Sequence, residues 1–78
     1  LVVADARGVA GAVVTRVTPG SVSDRLGIRP GDSILQLGAR EVRRTADFFE
    51  ALGALRLDAD AVLLVGRGPF AYYLTAHL

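Results

Sequence analysis

The side chains that could act as acid, base or nucleophile are few and lie far apart along the chain. His77 is the single histidine, and a catalytic or metal-binding role would need partners that the sequence does not place beside it. Ser21, Ser23 and Ser33 lie in predicted cap or turn positions, without a G-x-S-x-G or phosphate-binding loop. Cysteine is absent, which excludes disulfides and thiolate metal sites. We therefore predict no catalytic residue, no metal ligand and no cofactor.

The pattern that indicates a function lies on the longest predicted helix, residues 45–55. One apolar stripe is suited to packing on a core and consists of Phe48, Ala51, Leu52 and Leu55. A second stripe, at spacing i, i+4, i+7, consists of Thr45, Phe49 and Leu52. A helix on the surface of a domain needs only one apolar stripe for its core contact. The second stripe is therefore a candidate binding surface.

The elements that would position this helix form a small antiparallel sheet. Runs rich in β-branched or alternating apolar residues predict strands at 1–4, 11–17, 33–37, 61–65 and 70–78. Ser21 is the predicted N-cap and Gly27 the predicted C′ residue of a short helix at 22–26, and residues 29–32 fit a type II turn. The predicted order, ββαβαββ, indicates an all-β or α+β fold, a five-stranded antiparallel partial barrel capped by two helices.

Size and composition set further limits. With 78 residues, half of them apolar and 22% charged, the chain is expected to form one domain over residues 1–78. Net charge is +1, and the only cluster of arginines, Arg40, Arg43 and Arg44, is interrupted by Glu41, so no nucleic-acid partner is predicted. No apolar run approaches the length of a membrane span, and no signal peptide is visible. Because Leu1 stands within an apolar run and is not preceded by Met, we expect a piece of a longer protein.

Two segments resemble a known family. Residues 11–35 contain P-G-S at 19–21 and G-I-R-P-G-D at 27–32, and residues 42–52 contain Val42 and the T-A-D-F start of the long helix. Together they resemble PDZ domains, over residues 11 to about 65. The terminal strand at 70–78 is similar to the circularly permuted arrangement of the bacterial type, as in HtrA/Deg serine proteases and site-2 proteases.

The resemblance implies a function in peptide binding by β-augmentation, without catalysis. A peptide or a protein C-terminal tail would add a strand between an edge strand at residues 1–5 and the helix at residues 45–55. Carried over position by position, the peptide-binding residues would be Leu1, Val2, Val3, Ala4, Thr45, Phe49 and Leu52. Two departures stand out: the carboxylate-binding loop of the family would lie at or before Leu1, and Thr45 replaces the histidine of many metazoan relatives.

Three functions remain open at this stage. The first is a regulatory module attached to an HtrA/Deg-type protease, and the second is an interaction or assembly module with a degenerate groove in a non-protease envelope or organelle protein. The third is an independent enzyme. The resemblance places the host protein in the periplasm or cell envelope. It leaves open whether the host is membrane-associated, which ligand sequence it binds and what its oligomeric state is.

Overall fold

A computed structural model describes residues 1–55 and 60–77 of the chain. The strands are β1 (Val2–Ala4), β2 (Ala12–Arg16), β3 (Ser33–Leu37), β4 (Arg40–Glu41), β5 (Asp60–Arg67) and β6 (Phe70–His77). The helices are α1 (Val22–Arg25) and α2 (Thr45–Ala54). Every predicted element is found to within a few residues of its predicted bounds; position 78 of the predicted last strand lies outside the described residues.

The strands form one antiparallel sheet in the order β1-β2-β3-β5-β6, with β4 paired to β3 off this path. The prediction of five strands is wrong in number, because six are present among the described residues. The additional strand is β4, which sequence analysis assigned to a turn. After Gly38 the chain folds back on β3 and forms two residue pairs, Gln36 with Glu41 and Leu37 with Arg40. A ladder this short leaves no recognisable period in the sequence.

The caps of α1 agree with the sequence. The Ser21 hydroxyl accepts the backbone N–H of Asp24, and the Asp24 carboxylate accepts that of Gly20. At the other end, Gly27 has a φ of +84°, and its N–H donates to the carbonyl of Asp24 while that of Ile28 donates to Ser23. This pair of bonds is the Schellman motif, which ends a helix at a left-handed glycine. It directs the buried Ile28 into the core immediately after α1.

The core lies between the two helices and one face of the sheet. Ile34, Val14 and Val65 are its largest fully buried side chains. Its other buried apolar members are Ala12, Ile28, Leu37, Val42, Phe48, Ala51, Ala61, Leu63 and Ala76. On β6 the predicted alternation is present between residues 72 and 76, with even positions turned inward. Phe70 breaks this pattern and is 74% exposed, because it pairs with Arg67 beside the hairpin turn, beyond the reach of the core.

Candidate functional site

An apolar cavity of about 150 Å³ opens between α1, α2 and the sheet, beside the first residue of the chain. Its lining residues are Leu1, Val22, Ser23, Leu26, Ile28, Leu37, Phe48, Leu52, Leu55, Ala61, Leu63 and Ala76. The inner part is formed by core residues, whereas Leu1, Val22 and Leu52 at the entrance are 39 to 51% exposed. Three large apolar side chains thus surround an opening that leads towards the core.

The chemistry of this cavity favours one kind of ligand group. Among the described residues that line it, Ser23 alone is polar, so these residues offer almost no hydrogen-bonding partner to a buried charge or amide. Burying an aliphatic or aromatic side chain is worth about 1.5 to 3 kcal/mol. Clustered exposed apolar side chains with this shape are typical of ligand-binding surfaces. The cavity is therefore suited to a single apolar side chain.

Strand β1 lies at the edge of the sheet next to this cavity. Within the described residues it pairs with β2 alone, so the backbone groups on its other edge have no strand partner. Its ladder is irregular, since the register shifts between Val2 and Val3. The Thr15 hydroxyl donates to the Val2 carbonyl at 3.2 Å near this irregularity. An unpaired edge of this kind can accept an additional strand.

Two contacts relate the first five residues of the chain to helix α2, and their order gives the two segments opposite directions. Leu1 shares the cavity with Leu52 near one end of both elements. At the other end the Asp5 carboxylate accepts the backbone N–H of Thr45 at 2.8 Å. Seven residues of helix and four of strand both span about 10 to 13 Å, so the two contacts are consistent with parallel axes. The space between these two contacts, with the apolar cavity at one end, is the candidate groove between β1 and α2.

The start of α2 is fixed by a carboxylate. Asp47 accepts the backbone N–H of Arg43 at 2.9 Å and that of Arg44 at 3.3 Å. Both hydrogen bonds lower the pKa of Asp47, and the one from Arg43 has the larger effect. A negative charge in the first turn also suits the positive end of the helix dipole. Phe48 and Ala51 are buried beneath the helix, which fixes the face that α2 turns towards the sheet.

The predicted binding residues have different positions in this groove. Leu1 and Leu52 line the cavity together. Val2 is half exposed, while Val3 packs against the core and Ala4 is partly buried. Thr45 and Phe49 do not line the cavity. Phe49 is 59% exposed, and its ring meets the edge of Phe48 with centroids 5.5 Å apart. The structure thus brings two of the seven residues together at the cavity, and the other five do not line it.

One wall of the cavity was not predicted from the sequence. Val22, Leu26 and Ile28 come from α1 and the residues that follow it. The signal was present, because Val22 and Leu26 lie four positions apart and therefore on one face of a helix. A helix of four residues has no periodicity strong enough to distinguish core contacts from cavity lining.

A second missed feature is the ion pair between Asp32 and Arg67, which supports that wall. The Arg67 Nε donates to Asp32 Oδ1 at 2.8 Å and Nη2 donates to Oδ2 at 2.6 Å. Arg67 Nη2 also donates to the Gly27 carbonyl at 2.8 Å, and the N–H of Arg29 donates to Asp32 Oδ2 at 2.9 Å. The guanidinium lies 5.3 Å from the centre of the Tyr72 ring. The loop after α1 is thereby tied to β5 and β6.

The protonation of this ion pair follows from its contacts. The Asp32 side chain is only 3% exposed, whereas that of Arg67 is 39% exposed. The hydrogen bonds from Arg67 lower the pKa of Asp32 against the opposing effect of burial, and the same contact raises the pKa of Arg67. Both groups are charged at neutral pH, so the pair has a structural role that requires no proton transfer.

Two further properties concern the described ranges alone. No cluster of three or more histidine, cysteine, aspartate or glutamate side chains in residues 1–55 and 60–77 could hold a metal ion. None of the helices described there has the length and apolar character needed to cross a membrane.

Comparison with known proteins finds relatives of two kinds. The chain is 33% identical over 63 residues to the Rab-3-interacting molecule unc-10 of Caenorhabditis elegans, which covers 77% of this chain and 4% of that protein. It is 32% identical over 56 residues to the mitochondrial serine protease HTRA2 of Drosophila grimshawi and of Drosophila persimilis, which covers 72% of this chain and 13% of each protease. The chain thus spans a small part of the length of these relatives.

These relatives contradict the predicted location. The periplasm or cell envelope was expected from the bacterial members of the family. The relatives found are worm and fly proteins, and the fly proteases are named as mitochondrial. The prediction of a periplasmic or cell-envelope location is therefore wrong, and a bacterial origin has no support from them.

The sequence profile of the PDZ domain matches residues 13–65, which include α1, β3, β4, α2 and most of β2 and β5. This match covers more than half of the chain and includes the P-G-S and P-G-D segments on which the resemblance was based. The antiparallel sheet with two helices is consistent with the same fold. The chain belongs to the PDZ domain family, whose members are protein-interaction modules and in general do not catalyse reactions.

Proposed function

We propose that this domain binds an extended peptide, most simply a protein C-terminal tail with an apolar last residue, in the groove between β1 and α2. The observation that carries the proposal is the apolar cavity beside the outer edge of β1, which has no strand partner among the described residues. The cavity supplies a place for one side chain, and the edge supplies backbone hydrogen bonds. Together they are the two parts that strand addition requires.

The proposed binding energies are modest. Burial of one apolar side chain contributes about 1.5 to 3 kcal/mol. Each strand hydrogen bond adds about 0.5 to 1.5 kcal/mol net, and ordering the peptide takes back much of the sum. A dissociation constant in the micromolar range is therefore expected. Affinity of this order suits an interaction that must form and dissociate repeatedly.

The roles of the individual residues follow from their positions. Leu1 and Leu52 would contact the last side chain of the ligand, since both line the cavity. The backbone of Val2, Val3 and Ala4 would pair with the ligand strand. Thr45 and Phe49 would contact upstream ligand residues along the remaining part of α2. Val22 and Leu26 join this set as the wall of the cavity that α1 contributes.

For the host protein, we propose a regulatory role in an HtrA/Deg-type protease. The similarity to the fly proteases supports this proposal. The circularly permuted strand order is proposed with it, supported by the position of the last strand, β6, at the sheet edge beside β5. The alternative is an interaction module in a non-protease protein, favoured by the equal similarity to a Rab-3-interacting molecule. The presence of a protease domain in the complete protein would favour the regulatory role in an HtrA/Deg-type protease.

The test is a titration of the 78-residue chain with labelled peptides ending in Val, Leu, Ile, Phe, Ala or Asp, each as free acid and as amide. We expect micromolar binding of the peptides with large apolar ends and at least tenfold weaker binding of those ending in Ala or Asp. Leu52→Asp should abolish binding, because it places a charge at the cavity entrance. Val62→Asp is the matched control, since Val62 is 41% exposed on β5 and Leu52 47% exposed on α2.

The outcomes separate the two parts of the proposal. Loss of binding in the amide series means that the domain recognises chain ends, whereas equal binding of both series means that it recognises internal extended segments. Failure of every peptide to bind, or equal binding by Leu52→Asp and the wild type, would contradict a ligand groove at this cavity.

A further inference from the structure

The sheet has two edge strands, and they differ in length and regularity. Within the described residues, β1 pairs with β2 alone and β6 with β5 alone. β1 has three residues and a register shift, which shorten the ladder that an added strand can form on it. β6 has eight residues, and all eight pair with β5 without a register shift. The open edge of β6 is therefore the longer and more regular of the two.

β6 also lacks the features by which proteins protect an exposed edge from pairing. Residues 70–76 contain no charged side chain and no proline, which are the usual obstacles. Tyr73 is 65% exposed on the side of the sheet away from the helices, with the exposed Ala71 and Thr75 on either side of it. Phe70, at the start of the strand, is the most exposed of the large apolar side chains described. A neutral and partly apolar edge of this kind is suited to a strand of the same character.

The free backbone groups of β6 can be located from a contact of its neighbour. The Val62 carbonyl accepts the N–H of Gly38 at 2.8 Å, so the backbone groups of Val62 point to the β3 side of β5. Val62 is paired with Thr75, and this pair therefore exchanges no hydrogen bond, whereas the pairs on either side of it do. The N–H and C=O groups of Thr75, and by alternation those of Tyr73 and Ala71, point to the open edge.

These outward groups are complementary to those of a second copy of the chain. When two β6 strands lie antiparallel about a two-fold axis at Tyr73, the two Tyr73 residues face each other, and each Ala71 faces Thr75 of the second copy. Each of these pairs exchanges two hydrogen bonds, so every outward N–H and C=O of the three residues finds a partner. Such self-complementarity is what a two-fold interface requires.

The exposed aromatic side chains favour an axis at Tyr73 over one at Leu74. Both axes keep inward side chains beside inward side chains. An axis at Leu74 leaves Phe70 outside the paired segment, whereas an axis at Tyr73 brings Phe70 beside Ala76 of the second copy. It also places the two Tyr73 rings next to each other, and aromatic pairs across strands are stabilising.

We propose that two copies of this domain associate through β6, in an antiparallel strand pair centred on Tyr73 that joins their sheets into one. β1 lies at the opposite edge of each sheet, so the dimer presents two candidate grooves at its far ends. The proposal does not depend on the groove, since it rests on β6 alone. A single strand pair buries less than the about 1,200 to 2,000 Å² of a stable interface, so we expect a weak dimer, with a dissociation constant of roughly 0.1 mM.

The first measurement is sedimentation equilibrium of the wild-type chain from about 10 µM to about 1 mM, a range that brackets the expected dissociation constant. The apparent mass should rise from the 8.2 kDa of the monomer towards twice that value. Over the same range, the backbone N–H resonances of Ala71, Tyr73 and Thr75 should shift with concentration. Those of Tyr72 and Leu74 should shift less, because their N–H groups donate to β5.

Cross-linking tests the position of the axis, and the absence of cysteine from the chain makes it clean. In Tyr73→Cys the two Cα atoms of the central pair are about 5.5 Å apart, a distance that a disulfide spans. Thr75→Cys is the matched control on the same exposed edge, because its two copies lie more than about 13 Å apart in this register. Mild oxidation should cross-link Tyr73→Cys alone, and equal cross-linking of both variants would overturn the proposal.

A charge exchange tests the pairing of Ala71 with Thr75 of the second copy. Ala71→Lys combined with Thr75→Glu places opposite charges across the interface and should dimerise within about threefold of the wild type. Ala71→Lys combined with Thr75→Lys places like charges there and should dimerise at least about tenfold more weakly. Ala71→Glu with Thr75→Glu should be weakened equally, although its two added negative charges only take the net charge from +1 to −1. Equal dimerisation of the three variants would contradict this register.

Two further outcomes would exclude a second copy as the occupant of β6. One is a wild-type chain that stays monomeric up to about 1 mM, roughly tenfold above the expected dissociation constant. The other is a chain that stays monomeric while the apolar peptides of the binding titration shift the resonances of Ala71, Tyr73 and Thr75, because an extended ligand then occupies this edge. Neither outcome bears on the groove beside β1, at the other edge of the sheet.

Discussion

The two sides of α1 are built from different interactions. On the side of the sheet, the Asp32–Arg67 ion pair joins the loop after α1 to β5 through three hydrogen bonds of 2.6 to 2.8 Å, with the carboxylate almost fully buried. On the side of the groove, the cavity is bordered by exposed apolar side chains, and β1 is a three-residue strand with an irregular register. Within the described residues, an exposed hydrogen bond joins Asp5, the residue after β1, to Thr45, the first residue of α2.

The ion-pair side of α1 is therefore expected to be rigid, and the groove side is expected to adapt to a ligand. Buried, satisfied charge pairs hold their elements in one geometry, because any displacement leaves a charge without its partner. Exposed contacts with few hydrogen bonds open at little free-energy cost, and ligand-binding segments are drawn from such regions. We therefore expect the α1 wall to remain in place while β1 and α2 separate to admit a ligand.

The largest expected effect is on the ion pair. Arg67→Met leaves the buried Asp32 carboxylate without its main partner. Breaking a fully buried ion pair costs about 3 to 5 kcal/mol. Because Arg67 is partly exposed, we expect a value at the low end, a decrease of about 3 kcal/mol in the free energy of unfolding. Arg67→Lys keeps the charge but not the bidentate geometry, so its free energy of unfolding should lie between those of Arg67→Met and the wild type. Urea denaturation measures both. A loss below 1 kcal/mol in Arg67→Met would show that this side is no more rigid than the groove.

The next prediction locates the boundary between the two regions at Gly11. Its φ is +85°, and a Cβ there would lie 2.5 Å from the Ile34 carbonyl oxygen. Gly8 has a similar φ of +75° in the same loop, but a Cβ there would meet nothing within 4 Å. Gly8→Ala should therefore cost only the backbone strain, about 1 kcal/mol, while Gly11→Ala adds a clash with main chain and should cost about 1 to 2 kcal/mol more.

Urea denaturation of the two alanine variants provides the measurement. Equal decreases in the free energy of unfolding for Gly8→Ala and Gly11→Ala would mean that the backbone of β2 and β3 shifts at Gly11 to accommodate the added Cβ. The adaptable region would then extend into the sheet, and the distinction between the two regions would be wrong at this point.

The same contrast explains how much could be predicted from the sequence. Caps and turns depend on a few neighbouring residues, so Ser21, Gly27 and the turn at residues 29–32 were predicted correctly. The alternation of β6 followed from a period of two that its burial imposes. The apolar residues at the cavity were predicted in part, because the second stripe on α2 included Leu52 but also Thr45 and Phe49, which lie outside the cavity lining.

What could not be predicted depends on contacts between residues distant in the chain. Asp32 and Arg67 are 35 positions apart, and Asp5 and Thr45 are 40 apart. Each is an ordinary turn, strand or helix-start residue by local pattern, and only the tertiary fold places the partners together. The two-residue strand β4 was missed for a related reason, since its pairing with β3 has no periodicity of its own.

A smaller effect is expected from acid. The Asp32 pKa is lowered by the Arg67 hydrogen bonds, so the unfolded chain takes up a proton at a higher pH than the folded chain does. The stabilisation is complete above the unfolded-state pKa of about 3.9 and is lost as the pH falls through the lower folded-state value. The free energy of unfolding should decrease with falling pH below about 4 for this reason.

Urea denaturation at a series of acid pH values tests this dependence in two variants. Asp32→Asn should remove most of the dependence of the free energy of unfolding on pH below about pH 4. The variant should be less stable than the wild type at every pH. Asp47 also has a lowered pKa, but it is only partly buried at the start of α2, so Asp47→Asn should change the slope less. A greater flattening in Asp47→Asn than in Asp32→Asn would reverse the assignment of the rigid side.

The smallest effect is expected at the ion pair between Arg40 of β4 and Glu50 of α2. Its atoms are 3.0 Å apart, close to the 2.6 Å between Arg67 and Asp32, but the two side chains are 52% and 60% exposed. Water screens such a pair, and the two side chains lose rotamer freedom when they form it. A double-mutant cycle with Arg40→Ala and Glu50→Ala should therefore give a coupling energy below about 0.5 kcal/mol. Added salt should reduce it further. A coupling near that of Asp32 with Arg67 would mean that α2 is fastened to the sheet as firmly as α1, and β1 alone would then have to move when a ligand enters the groove.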